Sequence, residues 1–550
     1  MRHDRLVLAV RALLMGASAA HACPSAVTSA GDPGASGLDL RTAIGLANAS
    51  SGCAITFDPS LNNSTITLHQ GQINIIAPMA IVGPGADKLT ISGNNASRIF
   101  YAKPVSLQPV PLTISGVTLS DGASSSYGGA IYASNLDLTL VVQNSVITGN
   151  TANAGSALSV YAAASVLLDN VDIHANGSGG PASLGALFIS STPATIRHCI
   201  VANNTVRGIL VSGVPSASEV WIDDSVISAN STTGYGAGIS AALDKGSLRV
   251  TNSVITGNTA GAGGGGVSLH YANGSFTNTQ ITHNSTSGNR GGGIFVSDDA
   301  PPSTQLTLVG STVSNNYAYD FGAGIDVKNA SSVSIKQSLI SGNSTTDYTT
   351  GASGGGIALH FVGGTTAIDN STIYRNFAYN SGGGIAIFDA GTGDRTQITQ
   401  TTISGNGTSD VTGTSNGVLG AGTPLLFSRI LANNLSSHGT SSQDLAGSFS
   451  ATYTLVKNPG GAVITNNGGL IAGQDPQLGL LAVNGGPTLT MLPLVGSPVI
   501  NAGGNPASIM LTGMDRSVDQ RGLPRPSSVA DIGAVQRQYP EDVIFRNGFN

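Results

Sequence analysis

A short phrase recurs along most of this chain and limits the folds that the chain can adopt. Each copy carries Ser or Thr, an apolar residue and Asn, and a glycine-rich stretch that ends in another apolar residue follows. Ser253–Asn258 with Gly264–Val267 is one full copy, and Ser371–Asn376 with Gly382–Ile385 is another. A fixed period of roughly 20 to 50 residues indicates stacked supersecondary units, each covering the apolar face of its neighbour.

The asparagine of the phrase marks the period. Its copies lie 26 to 33 residues apart, and Gly122 fills one position from which the asparagine is missing. Because neighbouring strands lie about 4.8 Å apart, stacking brings the repeated amides into a ladder. The predicted ladder consists of Asn94, Asn150, Asn176, Asn204, Asn230, Asn258, Asn284, Asn316, Asn343, Asn376, Asn406 and Asn434.

Composition favours strands and tight turns over helices. Glycine accounts for 75 of the 550 residues and only 9% of the chain is charged, so Ser, Thr, Asn and Gly are in surplus. These residues form helices poorly and turns well. In one unit, Leu248–Leu269, three short strands and their turns leave no room for a helix. We predict an all-β, right-handed parallel β-helix, a solenoid of about 13 coils with an N-terminal cap and an irregular C-terminal domain.

The N-terminus has the features of a secretory signal peptide over residues 1–22. Arg2 and Arg5 precede an apolar run, and Ala20-His21-Ala22 supplies a small-x-small cleavage site. Cys23 would be the first mature residue, although Ala20 stands where a lipoprotein signal usually has leucine. No later run reaches the roughly 18 apolar residues that a membrane span needs.

The remaining chain divides by pattern. Solenoid ends need caps because open ends expose strand edges. The helical spacing of Leu38–Asn48 predicts such a cap, and Cys23 and Cys53 could close a disulfide there in an oxidising compartment. The predicted parts are the cap at 23–65, the parallel β-helix at 66–440, the irregular C-terminal region at 441–536 and a tail at 537–550.

Two family resemblances follow from these motifs. Gly128–Ile131 with Ile147–Asn150 resembles the GGAI and FxxN repeats of polymorphic outer-membrane proteins, which are autotransporter passengers with a parallel β-helix fold. Ile, Val or Leu replaces most of the phenylalanines of those repeats.

The second resemblance covers both ends of the chain. Leu38–Ile44 with Asn48 and Cys53 is similar to the CSLREA segment of bacterial secreted β-helix proteins, with Thr42 where glutamate is usual. It implies export and surface display, without a known reaction. The motifs that resemble a choice-of-anchor Q domain and the tail that follows it are Asp475-Pro476, Asn484–Thr488, Gly496–Pro498, Asp519–Gly522, Asp531–Ala534 and Ile544–Phe549.

Charge excludes one class of partner and points to one candidate site. A net charge of −6 gives no basic stripe for nucleic acid. Polysaccharide enzymes with this fold need clustered carboxylates, often with a basic residue, for acid–base chemistry. The alternative, which involves no catalysis, is an exposed row of opposite charges on neighbouring coils. The repeat spacing stacks the densest ionisable patch of the chain from Asp169, Arg197, His198, Asp223 and Asp224.

Three other residues share one predicted column: His270, Lys328 and His360. They would form a ligand-contacting stripe or a solvated outer face, and one or more coils separate them, too far for a shared metal. Cys199 stands where other repeats carry Ser or Thr, which predicts a small buried residue. We expect neither a metal nor a cofactor.

The sequence supports three functional hypotheses. The first is a non-catalytic, monomeric β-helix protein, secreted or displayed on the outer-membrane surface of a bacterium, that adheres to an extracellular polysaccharide or a cell surface. The alternative is a polysaccharide lyase or glycoside hydrolase that uses the ionisable patch. The third is a structural spacer for the C-terminal region.

Overall fold

The structure is a computed structural model. It divides the chain into two compact units, Met1–Leu210 and Val211–Asn550. The predicted signal peptide and residues 539–550 of the predicted tail lie outside the described residues. The described residues are 23–538 except 35, 51, 105–108, 180–183, 215–217, 289, 299–303, 347–350, 361, 389–395, 410–414, 437–441, 505–516 and 527.

Coils of short parallel strands build both units. In the coil that starts at Ser247, the strands are Ser247–Thr251, Val254–Thr256, Thr259–Ala260 and Val267–His270. We call the columns that these four strands belong to the first, second, third and fourth ladders. Each strand pairs in parallel with its counterpart one coil away, as Ile255 does with Ile281. The all-β parallel solenoid of about 13 turns confirms the predicted fold class.

The third ladder is the part of the coil that the sequence did not predict. The sequence predicts three short strands within Leu248–Leu269, whereas Thr259–Ala260 forms an additional short strand. The backbone N–H of Thr259 donates to the carbonyl of Asn230, 2.9 Å away, so the chain stays extended beyond the asparagine. Two residues are too few to show the alternation by which a strand is recognised in sequence.

The first unit contains a helix and strands of all four ladders. The helix is Leu40–Ser50, and a short 3₁₀ helix covers Pro59–Leu61. Leu138–Thr148 and Ser165–His174 each run through the first and second ladders. The other strands are Cys53–Ile55, Met79–Val82, Val110–Ser115 and Ala194–Arg197 in the first ladder; Ser64–Thr67, Leu89–Ser92, Thr118–Ser120 and Ile200–Ala202 in the second; Ala123–Tyr127, Thr151–Ala154 and Gly177–Ser178 in the third; and Ile73–Ile75, Phe100–Ala102, Ile131–Ser134, Leu158–Tyr161 and Leu187–Ser190 in the fourth.

The second unit repeats the same order, and the strand Ile209–Ser212 carries the boundary between the units. Leu445–Thr452 joins the fourth and first ladders and pairs with Val463–Asn466. The other strands are Glu219–Asp223, Ser247–Thr251, Asn273–Thr277, Gln305–Val309, Ser332–Lys336, Thr366–Asp369, Thr396–Thr399 and Leu425–Phe427 in the first ladder; Val226–Ser228, Val254–Thr256, Gln280–Thr282, Thr312–Ser314, Leu339–Ser341, Thr372–Tyr374, Thr402–Ser404, Ile430–Ala432, Leu455–Val456 and Ile471–Ala472 in the second; Ser231–Thr232, Thr259–Ala260, Ser285–Thr286, Tyr317–Ala318, Ser344–Thr345, Phe377–Ala378, Gly407–Thr408 and Leu435–Ser436 in the third; and Ile239–Ala242, Val267–His270, Ile294–Ser297, Ile325–Lys328, Ile357–His360, Ile385–Ile387 and Val418–Gly420 in the fourth.

The helix of the first unit packs against its first coil. It buries an apolar stripe at Leu40, Ala43, Ile44 and Ala47. Asp39 caps its first turn by accepting a hydrogen bond from the backbone N–H of Thr42 at 2.8 Å, which satisfies a donor without a helical partner. A disulfide joins Cys23 to Cys53 with a Cα–Cα distance of 5.3 Å. The segment before the helix is thereby tied to the first ladder.

Apolar side chains fill the interior of the coils, and a glycine with a positive φ permits the turn before many of the fourth-ladder strands. Gly264 has a φ of +69°, and a Cβ there would overlap the carbonyl oxygen of Val267. Glycine is therefore required at this position. The fourth-ladder residues that open these strands and are completely buried are Ile131, Leu158, Ile209, Ile239, Val267, Ile294, Ile325, Ile357 and Ile385.

Buried asparagines stack along each unit. In the second unit, the backbone N–H and the Nδ2 of Asn258 both donate to the Oδ1 of Asn284, at 3.0 and 2.9 Å. In the first unit, Asn150 donates to Asn176 and Asn176 to Asn204 in the same way. Each amide therefore satisfies a buried backbone donor as well as its own groups.

The ends of the ladder differ from its middle. Asn94 is exposed with a φ of +58°, so it does not belong to the buried ladder. The reason is that Gly122, in the next coil, has no side-chain amide on which Asn94 could stack. At the other end, Asn434 Nδ2 donates to the carboxylate of Asp444 at 2.7 Å. The Oδ2 of Asp444 accepts the backbone N–H of Asn458 at 2.7 Å, so a carboxylate ends the row of amides.

The C-terminal segment, residues 475–538, folds back along the second unit. Gln520 accepts the hydroxyl of Thr372 at 2.6 Å and donates to the carbonyl of Ser338 at 3.2 Å. Arg525 Nη2 donates to Asn370 Oδ1 at 3.0 Å, and the backbone N–H of Ala534 donates to the hydroxyl of Thr402. The Asp-Gln-Arg-Gly and Asp-Ile-Gly-Ala motifs, together with Arg525, thus attach this segment to second-ladder strands and to the turns that precede them.

Candidate functional site

The structure brings three residues of the predicted ionisable patch together in the first unit. Asp169 and Arg197 face each other on adjacent first-ladder strands. Arg197 Nη2 lies 2.7 Å from Asp169 Oδ2, and His198 Nδ1 lies 2.8 Å from Asp169 Oδ1. Burial alone would raise the pKa of Asp169, but the hydrogen bonds from Arg197 and His198 outweigh it and lower the pKa below its usual value. Asp169 is therefore ionised at neutral pH.

The other two residues of the predicted patch belong to the second unit. Asp223 Oδ1 accepts hydrogen bonds from the hydroxyl of Thr251 and from Asn252 Nδ2, the latter at 3.0 Å. Asp224 lies in the turn that follows, with a φ of +43°. Trp221 Nε1 donates to the same threonine hydroxyl at 2.9 Å. The Asp223 carboxylate thus accepts hydrogen bonds from one hydroxyl and one amide.

This arrangement sets limits on acid–base chemistry at Asp169. A general base or acid works best with a pKa near the working pH, whereas the pKa of Asp169 is lowered. Its side chain is 23% exposed and holds two basic partners. The geometry is that of an ion pair on an outer strand face. Ion pairs at exposed positions stabilise a fold only weakly.

Replacing Asp169 with asparagine tests this assignment by its pH dependence. A carboxyl whose folded pKa is lowered contributes stability above its unfolded pKa, and this contribution is lost as pH falls through the folded pKa. We expect Asp169→Asn to lose about 1 kcal/mol at pH 7 and to match the wild type below about pH 3. Thermal unfolding between pH 2.5 and 8 measures this gap in stability between the variant and the wild type. Asp244→Asn, at an exposed turn, is the control; a gap in Asp169→Asn that does not depend on pH would contradict the ion pair.

A cluster of tyrosines was not predicted from the sequence. Tyr101 and Tyr132 lie side by side on paired fourth-ladder strands, with ring centroids 5.5 Å apart. Tyr127, the last residue of the third-ladder strand Ala123–Tyr127, stacks on Tyr132 at 5.6 Å and on Phe188 at 6.1 Å. Tyr127 is 42% exposed, and the other two tyrosines are half-buried. We call Tyr101, Tyr127 and Tyr132 the tyrosine platform.

Arg98 contacts two rings of the platform and the backbone of the third tyrosine. Its guanidinium carbon lies 5.3 Å from the Tyr101 ring centroid and 5.5 Å from that of Tyr132. Nη2 donates to the carbonyl of Tyr127 at 2.6 Å, and Nη1 donates to Gln72 Oε1 at 2.6 Å. Burial lowers the pKa of Arg98, and the neighbouring tyrosines oppose that shift. The arginine therefore fixes the backbone at Tyr127, and the rings are positioned before any ligand binds.

The second unit has aromatic side chains at equivalent places. Tyr235 precedes Gly236 as Tyr127 precedes Gly128, and it stacks on Phe295 with centroids 5.8 Å apart and planes at 15°. Tyr235 is 46% exposed, and Tyr317 and Tyr319 are similarly exposed. The sequence signal was available: an aromatic residue directly before the positive-φ glycine lies over the outer face of the fourth ladder.

Within the predicted column of His270, Lys328 and His360, Lys328 is exposed and His270 is half-buried, whereas His360 is covered. Lys328 pairs in register with His360, but His360 is only 8% exposed. Its ring stacks on Phe388 at 4.4 Å, and its Nε2 lies 3.2 Å from the completely buried carboxylate of Asp326. Burial raises the pKa of Asp326, although His360 opposes the shift. The histidine thus belongs to a covered pair, because Phe321 and Phe388 lie over it.

The remaining candidates for chemistry are a metal site and the thiol of Cys199. Among the described residues, no three His, Cys, Asp or Glu side chains gather closely enough to hold a metal ion. Cys199 is buried, and burial raises the pKa of its thiol to about 11, so it is a poor nucleophile. In the described part of the chain, no helix is long and apolar enough to cross a membrane.

The fold and its repeats define a right-handed parallel β-helix protein. The sequence model of the family described as "Right handed beta helix region" matches residues 85–280 and 182–338. No curated protein sequence is significantly similar to the chain.

Three solved structures are similar to it at low identity. Pectate lyase Pel9A is 13% identical with a TM-score of 0.29, and the alignment covers 94% of this chain and 97% of the lyase. Tailspike protein 3 of bacteriophage CBA120 is 12% identical with a TM-score of 0.34, over 79% of this chain and 59% of the tailspike. XylC, in complex with xylose, is 11% identical with a TM-score of 0.30, over 80% of this chain and 67% of XylC.

Proposed function

We propose that this chain is an exported bacterial β-helix protein, secreted or displayed on the cell surface, that binds polysaccharide without cleaving it. The tyrosine platform is the observation that carries the proposal. Three adjoining aromatic rings, of which Tyr127 is 42% exposed, combine apolar ring surface with phenol hydroxyls. Aromatic rings of this kind give large contact areas together with a polar group, which suits a sugar ring with its apolar C–H face and its hydroxyls.

Pre-organisation supports the same proposal. Arg98 fixes the carbonyl of Tyr127 at 2.6 Å and lies against two of the rings, so little side-chain freedom is lost on binding. Asp169 is poorly suited to act as a general acid, because Arg197 and His198 hold its carboxyl group in the ionised form. A long polymer could contact the aromatic residues of either unit.

Export is the second part of the proposal. The Cys23–Cys53 disulfide fits an oxidising compartment, and the N-terminal features fit a cleaved signal peptide. The motifs at both ends suggest the CSLREA and choice-of-anchor Q type, with repeats like those of polymorphic outer-membrane proteins. In this proposal the mature chain is a monomer that starts at Cys23 and reaches the outer surface of the cell.

Removing one ring tests the platform. We expect Tyr127→Ala to weaken polysaccharide binding by about tenfold, because it removes one stacking surface worth about 1.4 kcal/mol. Affinity electrophoresis of residues 23–550 through gels containing neutral or acidic polysaccharides identifies a ligand, and calorimetry with that ligand measures the change. Tyr161→Ala is the matched control, because Tyr161 is 48% exposed in the same unit but outside the platform. Equal losses in both variants would contradict the platform, and no retention in any gel would favour the spacer hypothesis.

A polysaccharide lyase or glycoside hydrolase is the alternative function. The contact of Asp169 with Arg197 and His198 favours it, because basic groups beside a carboxylate also occur where such enzymes act. Incubation with the same polysaccharides and an assay for new chain ends separates the two functions. New ends that disappear in Asp169→Asn, or in Asp223→Ala with Asp224→Ala, would establish the enzyme and overturn the binding proposal.

A further inference from the structure

Arg429 occupies a position in the second unit where other coils carry a hydroxyl. The column at the turn between the first and second ladders contains Ser371, Thr401 and Thr454. Their hydroxyls point inward and donate to the carbonyl two residues earlier, at 2.8, 2.7 and 3.0 Å. Arg429 lies between Thr401 and Thr454 in this column, and it is the largest side chain that is completely buried.

Most of the guanidinium has no partner in the described part of the chain. Nη2 donates to the carbonyl of Leu425 at 2.9 Å. Nε and Nη1 are buried and have no hydrogen-bond acceptor among the described residues. Burial lowers the pKa of Arg429, and among those residues no carboxylate lies close enough to oppose the shift. An arginine side chain nevertheless keeps its proton in proteins, so a positive charge with unused donors lies inside the core.

The core around this arginine differs from the other coils. Gly420 takes the inward position that Ile387 and Leu359 fill in the preceding coils. Ala451 takes the inward position that Leu426 fills one coil earlier. The ring of Phe449 lies against Gly420, where a Cβ would meet it at 2.7 Å. Two small residues thus replace two large ones in the coil of Arg429 and in the coil that follows it.

We propose that the Arg429 guanidinium binds a small monovalent anion of the halide class inside the second unit, through an unused N–H group at Nη1 or at Nε. A buried charge is strongly destabilising unless an opposite charge or several hydrogen bonds compensate it. A water molecule would accept a hydrogen bond but leave the positive charge uncompensated. A halide would accept the hydrogen bond and also compensate the charge. The ion takes the place of the carboxylate that usually accompanies a buried arginine.

Anomalous diffraction locates the ion directly. Crystals of the full chain soaked in sodium bromide should show an anomalous peak within hydrogen-bonding distance of Nη1 or Nε of Arg429. A water-sized density without anomalous signal at that place would overturn the proposal. This measurement uses the unmodified protein, so it does not depend on whether a variant folds.

Stability in different salts gives an independent test. At constant ionic strength, exchanging sodium gluconate for sodium chloride should raise the Tm of the wild type by about 5 °C, because the ion binds only the folded chain. Arg429→Thr restores the hydroxyl of the column and should lose this response. Arg249→Thr, at an exposed strand position, should keep it. Equal chloride responses in the wild type and Arg429→Thr would overturn the assignment.

Discussion

Replacing Asn316 with alanine is expected to lower the free energy of unfolding of the second unit by about 4 kcal/mol. Asn316 Oδ1 accepts the backbone N–H and the Nδ2 of Asn284, at 3.0 and 3.1 Å. Its Nδ2 donates to Asn343 Oδ1 and to the carbonyl of Ile281, both at 2.9 Å. Alanine leaves several of these buried groups without partners, and each such group costs about 1–3 kcal/mol. Urea unfolding followed by circular dichroism measures the change.

An exposed asparagine provides the matched control for the ladder. Asn467 is exposed and its Nδ2 donates to the hydroxyl of Ser450 at 2.6 Å. Asn467→Ala should change the free energy of unfolding by less than about 0.5 kcal/mol, since water replaces the lost contact. If the two alanine variants unfold at the same urea concentration, the buried amide ladder is not a major source of stability.

Replacing Arg521 with alanine is expected to destabilise the second unit by about 3–5 kcal/mol. Arg521 and Asp519 form an ion pair at 2.9 Å with side chains that are 1% and 0% exposed. Arg521 Nη2 also donates to the carbonyl of Gln536 at 2.6 Å. Alanine leaves the buried carboxylate without its counter-charge, which is more costly than the loss of the pair as a whole. Limited proteolysis should then cut within residues 475–538 before the coils of the second unit.

Lys457 supplies the control for that ion pair. Its Nζ lies 2.5 Å from Asp475 Oδ2, but the two side chains are 29% and 52% exposed. Lys457→Ala should cost less than about 1 kcal/mol, because water screens an exposed pair. Were Arg521→Ala no more destabilising than Lys457→Ala, the buried pair would not be what holds the C-terminal segment in place.

Contacts within a column follow from the repeat, which is why part of the candidate site was predictable. Asp169 and Arg197 are 28 residues apart, one period of the repeat, and they face each other on neighbouring strands. The sequence could not show that His198 turns back onto Asp169, since its φ of +52° directs the side chain. It also did not identify the tyrosine platform, because Tyr127 ends a third-ladder strand, whereas Tyr132 and Phe188 lie on fourth-ladder strands, and no shared column relates it to them.

The sequence by itself determined the parallel coil, the inward apolar column and the spacing that stacks the asparagines. All three depend on a period that neighbouring coils share, so a regular spacing along the chain becomes a regular spacing in space. Only the tertiary structure decided the burial of His360 under Phe321 and Phe388, the place of Arg429 in the core and the attachment of the C-terminal segment. Gln520 meets Thr372 across 148 residues of sequence, and no period relates the two. Such contacts depend on how irregular segments pack against the finished coils.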